Sequence, residues 1–350
     1  MTYIISWIGN YILFSAGKIS RQRHLFALIS ICALGALVVL RGRVGVDTSG
    51  IYESMAMWSV FGLKTEPLFA LLLYIMSALF PTPLLAITMG IGSIYVLLLL
   101  VYVARADLKE LYVFNVFFVP VLFWKMGINE LRYGIALAFV LLAMQSFKRQ
   151  QKLACILLIT SAVITHYSSF LFLMFWVILA IPINPKLYLK FGLPILSAAV
   201  IVLLMDQDYL YTKYVFYSGN INHNIRSYYT GIGPAMILTL QNVGVCLGNL
   251  DRSDKVRIVA VSVLMISSSY FIMLSKDAGL RFLEMSVIAT TYAALYVHQN
   301  QEKEMGFWFC GAVGLSGLIG MTATYHNMLI EKNVLFNLQS PSIPYRFFWQ

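Results

Sequence analysis

Charged residues are scarce in this chain, and their scarcity excludes a soluble globular fold. They make up 11% of the sequence, whereas hydrophobic residues make up 60%; an ordinary soluble domain contains roughly 25% charged residues. One helix needs about 20 apolar residues to cross the hydrocarbon core of a membrane. We therefore predict an all-α, polytopic transmembrane helix bundle of about 10 to 13 helices, in a single domain over residues 1–350.

Other chemical signals are also missing. The four cysteines each lie alone in an apolar run, so neither a disulfide nor a metal site of paired cysteines is expected. Phosphate loops, dinucleotide-binding glycine patterns, metal-ligand spacings and serine elbows do not occur, and we expect no cofactor and no metal. The net charge of +10 does not indicate nucleic-acid binding, because most basic residues lie in short loops between apolar runs. The apolar start lacks a basic leader and predicts a retained first helix.

The basic loops predict the orientation, because lysine and arginine are enriched on the cytoplasmic side. Residues 18–23, 148–152, 186–190 and 252–257 are predicted to be cytoplasmic. The long apolar run at residues 153–181 must then enter the membrane and return, turning near His166. The outer-face loops follow from the same orientation, near residues 41–66, 125–131, 206–231 and 275–281.

One conflict arises between Glu66 and Arg105. Two apolar runs lie between these residues, and two crossings would return Arg105 to the outer side. The later basic loops require Arg105 inside. The number of crossings in this stretch therefore differs by one from the number of apolar runs.

Ionisable residues at membrane depth usually mark an internal site, and the first candidates follow an apolar run. Arg41 and Arg43 lie beside glycines, and a guanidinium matches phosphate oxygens with two parallel hydrogen bonds. Asp47 is close in sequence and could accept a proton from a hydroxyl. The alternative is an arginine–aspartate pair that only holds the loop together.

The second and third candidates are Arg132 and His166. Asn129, Arg132 and Ala136 have the spacing of one helical face, so Arg132 either points into the bundle or extends to the interface. His166 lies inside the longest apolar run. It is either a hydrogen-bonded structural residue or a group for proton transfer or phosphate binding, since histidines titrate near neutral pH.

The fourth candidate is Arg281, which opens an apolar run and could instead pair with Asp277 or Glu284. The polar stretch at residues 206–231 contains Arg226 and many tyrosines. Tyrosines offer rings for stacking on sugars and hydroxyls for hydrogen bonds. The same stretch could equally be an aromatic belt at the membrane interface.

The order of these places over nearly the whole chain resembles the EpsG-like branch of the Wzy-type polysaccharide polymerases. Two positions depart from the family pattern: Tyr133 stands where the family often has glutamine, and Gly42 where it often has an aromatic residue. The matching pieces are Leu40-Arg41, Val44 to Thr48 with Tyr52, Glu66-Pro67, Arg132 with Ala136 before Lys148-Arg149, His166 with Ser168, and Arg281-Phe282.

The resemblance implies a bundle similar to C-type glycosyltransferases in the bacterial cytoplasmic membrane, with its active site facing outward. Such an enzyme joins oligosaccharide repeat units carried on undecaprenyl pyrophosphate, by inverting transfer and without a metal. Chain-length regulator and flippase proteins are possible partners. For this reaction we expect Arg41, Arg132 and Arg281 to bind the pyrophosphate, with Arg43, which has no fixed counterpart in the family, as a helper. His166 and Asp47, which lie in the matching motifs, are the catalytic candidates. Sugar binding is expected from Tyr52, Asn129, Glu130 and Arg226.

Two other functions fit parts of the pattern. A flippase for the lipid-linked oligosaccharide would use the same arginines without chemistry, although transporters often show two related halves, which are not visible here. A membrane O-acyltransferase would use the histidine and leave the arginines unexplained.

Overall fold

The computed structural model describes residues 1–45, 47–48, 52, 56, 66–182, 231–273, 278–330 and 345–349. Within these ranges the chain forms helices and no strands, apart from one isolated bridge between Arg41 and Phe347. The helices are α1 Thr2–Ile19, α2 Arg23–Val39, α3 Pro67–Leu79, α4 Pro83–Arg105, α5 Leu108–Val113, α6 Leu131–Lys148, α7 Lys152–Thr165, α8 Ser169–Ala180, α9 Ile232–Leu247, α10 Arg252–Met273, α11 Ala278–Asn300 and α12 Phe307–Ile330.

Five of these helices, α4, α6, α10, α11 and α12, are long and apolar enough to cross a membrane. The side chains of α1 are arranged for lipid, with Ile5, Ile8 and Ile12 exposed. The polar Asn10 is buried instead, accepts a hydrogen bond from Ser30 and donates one to the Asn115 carbonyl. Apolar residues outside and satisfied polar groups inside suit a hydrocarbon solvent. The prediction of an all-α polytopic bundle is confirmed.

The chain divides into two compact units, residues 1–169 with 321–350 and residues 170–320. In the second unit, polar groups inside the helices pair with one another: Gln241 donates to Thr291, and Ser262 donates to Asn242, each at 2.6 Å. Phe175 of α8 packs edge-on against Phe282 of α11. The single-domain organisation stays a prediction.

In the first unit, α6 and α7 form an antiparallel hairpin that defines two ends. The Lys148 end holds the basic residues near two of the predicted cytoplasmic loops: Arg105 donates to Gln151 at 2.9 Å, and His24 is 2.7 Å from the Ala106 carbonyl. The predicted cytoplasmic loops at residues 18–23 and 148–152 thus share one end. The opposite end, which carries Arg132 and His166, is called the Arg132 end.

The crossing conflict is resolved by the length of α3. Glu66 lies at the Arg132 end and Arg105 at the Lys148 end, so the chain makes one net passage between them. Helix α3 has 13 residues, about 20 Å at 1.5 Å per residue, which is short of the roughly 30 Å hydrocarbon core. The passage is made by α4, whose 23 residues are sufficient.

Two irregular segments shape the Arg132 end. After α5 the chain continues as π-helix over Phe114–Phe123 and Lys125–Asn129; Pro120 lies within it and cannot donate a backbone hydrogen bond. The long apolar run at residues 153–181 is interrupted as predicted, because α7 ends at Thr165 and α8 begins at Ser169. His166 adopts an extended backbone in the break.

Candidate functional site

The hairpin of α6 and α7 brings Arg132 and His166 to the same end of the first unit. Arg132 lies in the first turn of α6, and His166 directly follows the last residue of α7. Because the two helices run antiparallel, the start of one lies beside the end of the other. Residues 34 positions apart in sequence therefore become neighbours.

Glu66 joins these two residues. Nη1 of Arg132 donates to Oε2 of Glu66 at 2.7 Å, and Nδ1 of His166 is hydrogen-bonded to Oε1 of the same carboxylate. The Glu66 side chain is 1% exposed, whereas those of Arg132 and His166 are 15% and 23% exposed. The carboxylate thus lies beneath, and the guanidinium and imidazole lie between it and the surface.

The hydrogen bonds from His166 and Arg132 and the charge of Arg132 keep Glu66 ionised. Burial alone would raise its pKa, but His166 and Arg132 outweigh burial and lower the pKa from 4.5 to about 2. An ionised carboxylate can only accept hydrogen bonds. Nδ1 of His166 therefore carries the proton that it donates to Glu66, and Nε2 of a neutral His166 has a free lone pair for a proton.

Aromatic rings surround the cluster. The Arg132 guanidinium lies over the rings of Tyr52 and Phe69, at 5.9 and 6.0 Å from their centroids. Tyr133 contacts His166 edge-on, with centroids 5.6 Å apart. A cation placed over aromatic faces is held in orientation as well as attracted. The rings thus restrict how Arg132 and His166 can move.

Residues that precede α3 in the chain contact the irregular segment before α6. Tyr52 donates to the Asn129 carbonyl at 3.0 Å, and Thr48 donates to the Ile128 carbonyl at 3.1 Å. Gly45 has φ +100, and a Cβ there would lie 2.4 Å from Cγ2 of Ile128. Only glycine fits this close approach without strain.

Asn129 and Glu130 lie at the Arg132 end, but not as expected from their spacing. The predicted shared helical face of Asn129, Arg132 and Ala136 is wrong, because the π-helical segment ends at Asn129 and α6 begins at Leu131. Asn129 contacts Tyr52 through its backbone carbonyl. The carboxylate of Glu130 is 3.7 Å from Lys125.

Arg41 is fully buried under the C-terminal segment, residues 345–349. Gly42 donates to the Arg346 carbonyl at 2.9 Å, and Phe348 donates to the Leu40 carbonyl at 3.0 Å. Nη1 of Arg41 donates to Val38 at 2.7 Å, while Nε and Nη2 have no hydrogen-bond partner within the described residues. Burial lowers the pKa of Arg41 from its usual value to about 10, so it stays charged.

Gly42 allows this segment to pack. A Cβ at Gly42 would lie 2.7 Å from the Phe347 carbonyl oxygen, closer than real Cβ contacts come. The absence of an aromatic side chain at this position therefore matches the contact with the C-terminal segment. Arg43, the next residue, is exposed, and Asp47 is half-buried and acts electrostatically on Tyr52.

Two predicted residues lie outside the first unit or outside the described ranges. Arg281 belongs to the second unit, is half exposed and lies 3.6 Å from Glu284, one of the two partners considered from the sequence. Asp277, the other, lies outside the described residues, as does Arg226 with nearly all of the polar stretch at residues 206–231.

Glu66 is the member of this cluster that the sequence interpretation did not assign a role. It appeared only as part of a Glu-Pro pair ahead of an apolar run. The available signal was a carboxylate directly at the start of an apolar segment, which is costly in a membrane unless it is paired. Its partners are 66 and 100 positions away, and the sequence offers no means of finding them.

The fold and the cluster define a class: a multi-pass helical membrane protein with a buried carboxylate that joins an arginine and a histidine at one end of its first unit. The EpsG family model matches residues 24–339, which is nearly the whole chain. The protein belongs to the EpsG family. No curated protein and no solved structure matches the chain. Family membership supports a role of the polysaccharide polymerase type.

Proposed function

We propose that the protein is a polysaccharide polymerase that joins undecaprenyl-pyrophosphate-linked oligosaccharide repeat units at the outer face of the bacterial cytoplasmic membrane. The observation that carries the proposal is the pairing of Arg132 and His166 with one buried carboxylate. A cation for a departing pyrophosphate and a base for an attacking hydroxyl are the two groups that such a transfer requires. Membership of the EpsG family supports the same reaction class.

The proposed reaction is a single displacement. A sugar hydroxyl of one repeat unit attacks the anomeric carbon of the growing chain, and Nε2 of His166 takes the hydroxyl proton. A bond forms between that oxygen and the anomeric carbon while the bond from the carbon to the pyrophosphate oxygen breaks. The configuration at the carbon inverts. Arg132 stabilises the negative charge that develops on the departing lipid pyrophosphate.

Other residues have supporting roles in the proposal. Asp47 and Tyr52 orient the acceptor sugar, together with Asn129, Glu130 and Arg226. Arg43 and Arg281 are additional pyrophosphate contacts. Arg41 contributes to pyrophosphate binding once the C-terminal segment moves, because its guanidinium is sealed when that segment is in place.

The test is polymerisation by purified protein in lipid vesicles supplied with the organism's own lipid-linked repeat unit. We expect the native chain to produce a ladder of longer glycans. Arg132→Ala and His166→Ala should each reduce extension by about 10²-fold or more, as expected for loss of a charge stabiliser or a general base. Fluorescence-detected size exclusion shows whether each variant is folded.

The chain offers matched controls at the Lys148 end. Arg105→Ala removes a guanidinium of the same unit, and His24→Ala removes an exposed imidazole; both should extend the glycan at nearly the native rate. If the native protein moves the repeat unit across the bilayer without extending it, the polymerase proposal is wrong and a flippase takes its place. Acylation of the glycan without extension would instead support an O-acyltransferase.

A further inference from the structure

Glu66 lies between the proposed base and the proposed cation, but it is too deeply buried to contact a substrate. Its side chain is 1% exposed, and its two oxygens are directed at different partners: Oε2 at Arg132 and Oε1 at His166. We propose that Glu66 is the positioning residue of the reaction: it fixes the Nδ1–H tautomer of His166 and holds the Arg132 guanidinium beside the imidazole. This inference rests on the proposed polymerase function.

The division of the carboxylate between two partners makes the arrangement depend on a single residue. A hydrogen bond to one ring nitrogen of a histidine determines which nitrogen remains available to a substrate. With Nδ1 bonded to Glu66, Nε2 is the nitrogen left to act as a base. The same carboxylate orients Arg132, so loss of Glu66 would release the base and the cation together.

The backbone of Glu66 also points to a function. Glu66 has φ 52 and ψ 74, in the left-handed region, and it directly precedes Pro67. Non-glycine residues rarely adopt this region, and a residue before proline normally adopts an extended conformation. Such conformations persist where the surroundings impose them, and they cluster at functional sites. Here the conformation places the carboxylate beneath Arg132 and His166.

Glu66 further couples the charge of the cluster to the progress of the reaction. Before transfer, the negative charge of Glu66 balances that of Arg132, and His166 is neutral. When His166 takes the hydroxyl proton, the cluster becomes singly positive at the moment when the leaving pyrophosphate gains negative charge. The carboxylate stabilises the imidazolium, which is the role of the acidic residue behind a catalytic histidine.

The test compares Glu66→Gln with Glu110→Gln in the polymerisation assay across a range of pH. Glu66→Gln keeps the size of the side chain and removes its charge. Glu110 is a second buried carboxylate of the same unit, bonded to Gln145 at the Lys148 end. Glu66→Gln should lower kcat by about 10²-fold and move the acidic limb of the kcat–pH profile about one unit lower, because a neighbouring negative charge is lost. Glu110→Gln should leave kcat within about two-fold of native and should leave the acidic limb of the profile in place.

The pH profile distinguishes positioning from a structural role, which would lower the amount of active protein equally at every pH. Among the described residues, Tyr133 contacts His166, Tyr52 contacts Arg132, and Asp47 acts electrostatically on Tyr52; neither variant changes these groups. Glu66→Asp tests the geometry, because its shorter side chain cannot reach both partners at once. If the acidic limb of the kcat–pH profile lies at the same pH in Glu66→Gln as in the native protein, the proposal is overturned.

A second readout is independent of activity. In protein labelled with ¹⁵N-histidine, the nitrogen chemical shifts of His166, identified with a His166→Gln sample, should report one Nδ1–H tautomer in the native chain and a mixture in Glu66→Gln. An Nε2–H tautomer in the native chain would contradict the role of Glu66. If the native protein fails to extend glycans but retains the Nδ1–H tautomer, the polymerase function fails while the positioning of His166 stands.

Discussion

The two ends of helix α6 each hold a buried carboxylate near basic residues, but the carboxylates have different surroundings. At the Lys148 end, Asp107 and Glu110 form a capping box: Asp107 accepts from the backbone of Lys109 and Glu110, and Glu110 accepts from the backbone of Asp107. At the Arg132 end, Glu66 makes no side-chain capping bond to the helix that it precedes. Its contacts include an arginine and a histidine that are both partly exposed.

The two carboxylates differ in whether the local structure explains them. A capping box satisfies backbone groups at the start of a helix, so Glu110 is explained by the stability of α5. Glu66 satisfies no such group of α3 and has a left-handed backbone instead. What it does satisfy are two side chains capable of chemistry. A buried charge therefore indicates a site only when local structure does not account for it.

The comparison of the two ends is tested most strongly by a conservative exchange of the basic residue at each end of α6. Arg132→Lys keeps the charge but loses the planar group that lies over Tyr52 and Phe69 and bonds Glu66. Lysine does not reproduce the fork or the stacking of arginine, and glycan extension should fall by about 10- to 100-fold. Lys148→Arg should stay within about two-fold of native. If Arg132→Lys and Lys148→Arg lower the extension rate equally, the proposal that only the Arg132 end takes part in the reaction is wrong.

Lowering the pH should remove the stabilisation that ionised Glu66 gives the folded protein. The pKa of Glu66 is lowered from 4.5 to about 2, so its contribution is complete above pH 4.5 and is lost as the pH falls toward 2. Glu66→Gln has no such contribution. The difference in free energy of unfolding between native and Glu66→Gln protein should therefore shrink by up to about 3 kcal/mol over this range. Unfolding in detergent at several pH values measures it; a difference independent of pH would contradict the prediction.

A smaller effect is expected where Gly45 packs against the irregular segment before α6. Gly45→Ala places a Cβ 2.4 Å from Ile128 at φ +100, which should destabilise the protein by about 1–3 kcal/mol and lower activity by displacing the contact of Thr48. Gly9 of α1 has open space around its Cβ position, and Gly9→Ala should be neutral or stabilise by about 0.5–1 kcal/mol. Thermal unfolding of both variants measures the two effects. If Gly45→Ala leaves the stability unchanged, the residues around Gly45 can shift to accommodate a side chain, and the prediction is wrong.

Much of the fold could be predicted from hydrophobic runs and basic loops. These placed the helices, the break near His166 and the common end of residues 18–23 and 148–152, because each follows from the length of a crossing or the distribution of charge. The number of crossings between Glu66 and Arg105 could not be predicted in the same way. Helix α3 is as apolar as a membrane-spanning helix, so hydropathy does not distinguish it from one. Only the contacts of Glu66, which precedes α3, with Arg132 and His166 show at which end of the unit α3 begins.

Two members of the candidate cluster could be selected from the sequence, but their shared partner and their contacts could not. Arg132 and His166 were selected because ionisable groups in apolar runs require a reason. Their shared partner Glu66 was missed, because long-range pairing leaves no local pattern. Arg41 was selected for the same reason as Arg132, but a contact with residues more than 300 positions away covers it. Asn129 was misplaced because a π-helical segment breaks the 3.6-residue spacing.

The most direct test of the proposed pyrophosphate site is to find which end of α6 contacts the pyrophosphate. A lipid-linked repeat unit with a photoreactive group beside its pyrophosphate is irradiated with the native protein in vesicles, and the attached peptides are identified by mass spectrometry. We expect attachment around Tyr52, Phe69, Tyr133 and His166, and we expect unmodified repeat unit to compete with it. Attachment confined to the Lys148 end, around Arg105 and Lys109, would contradict it.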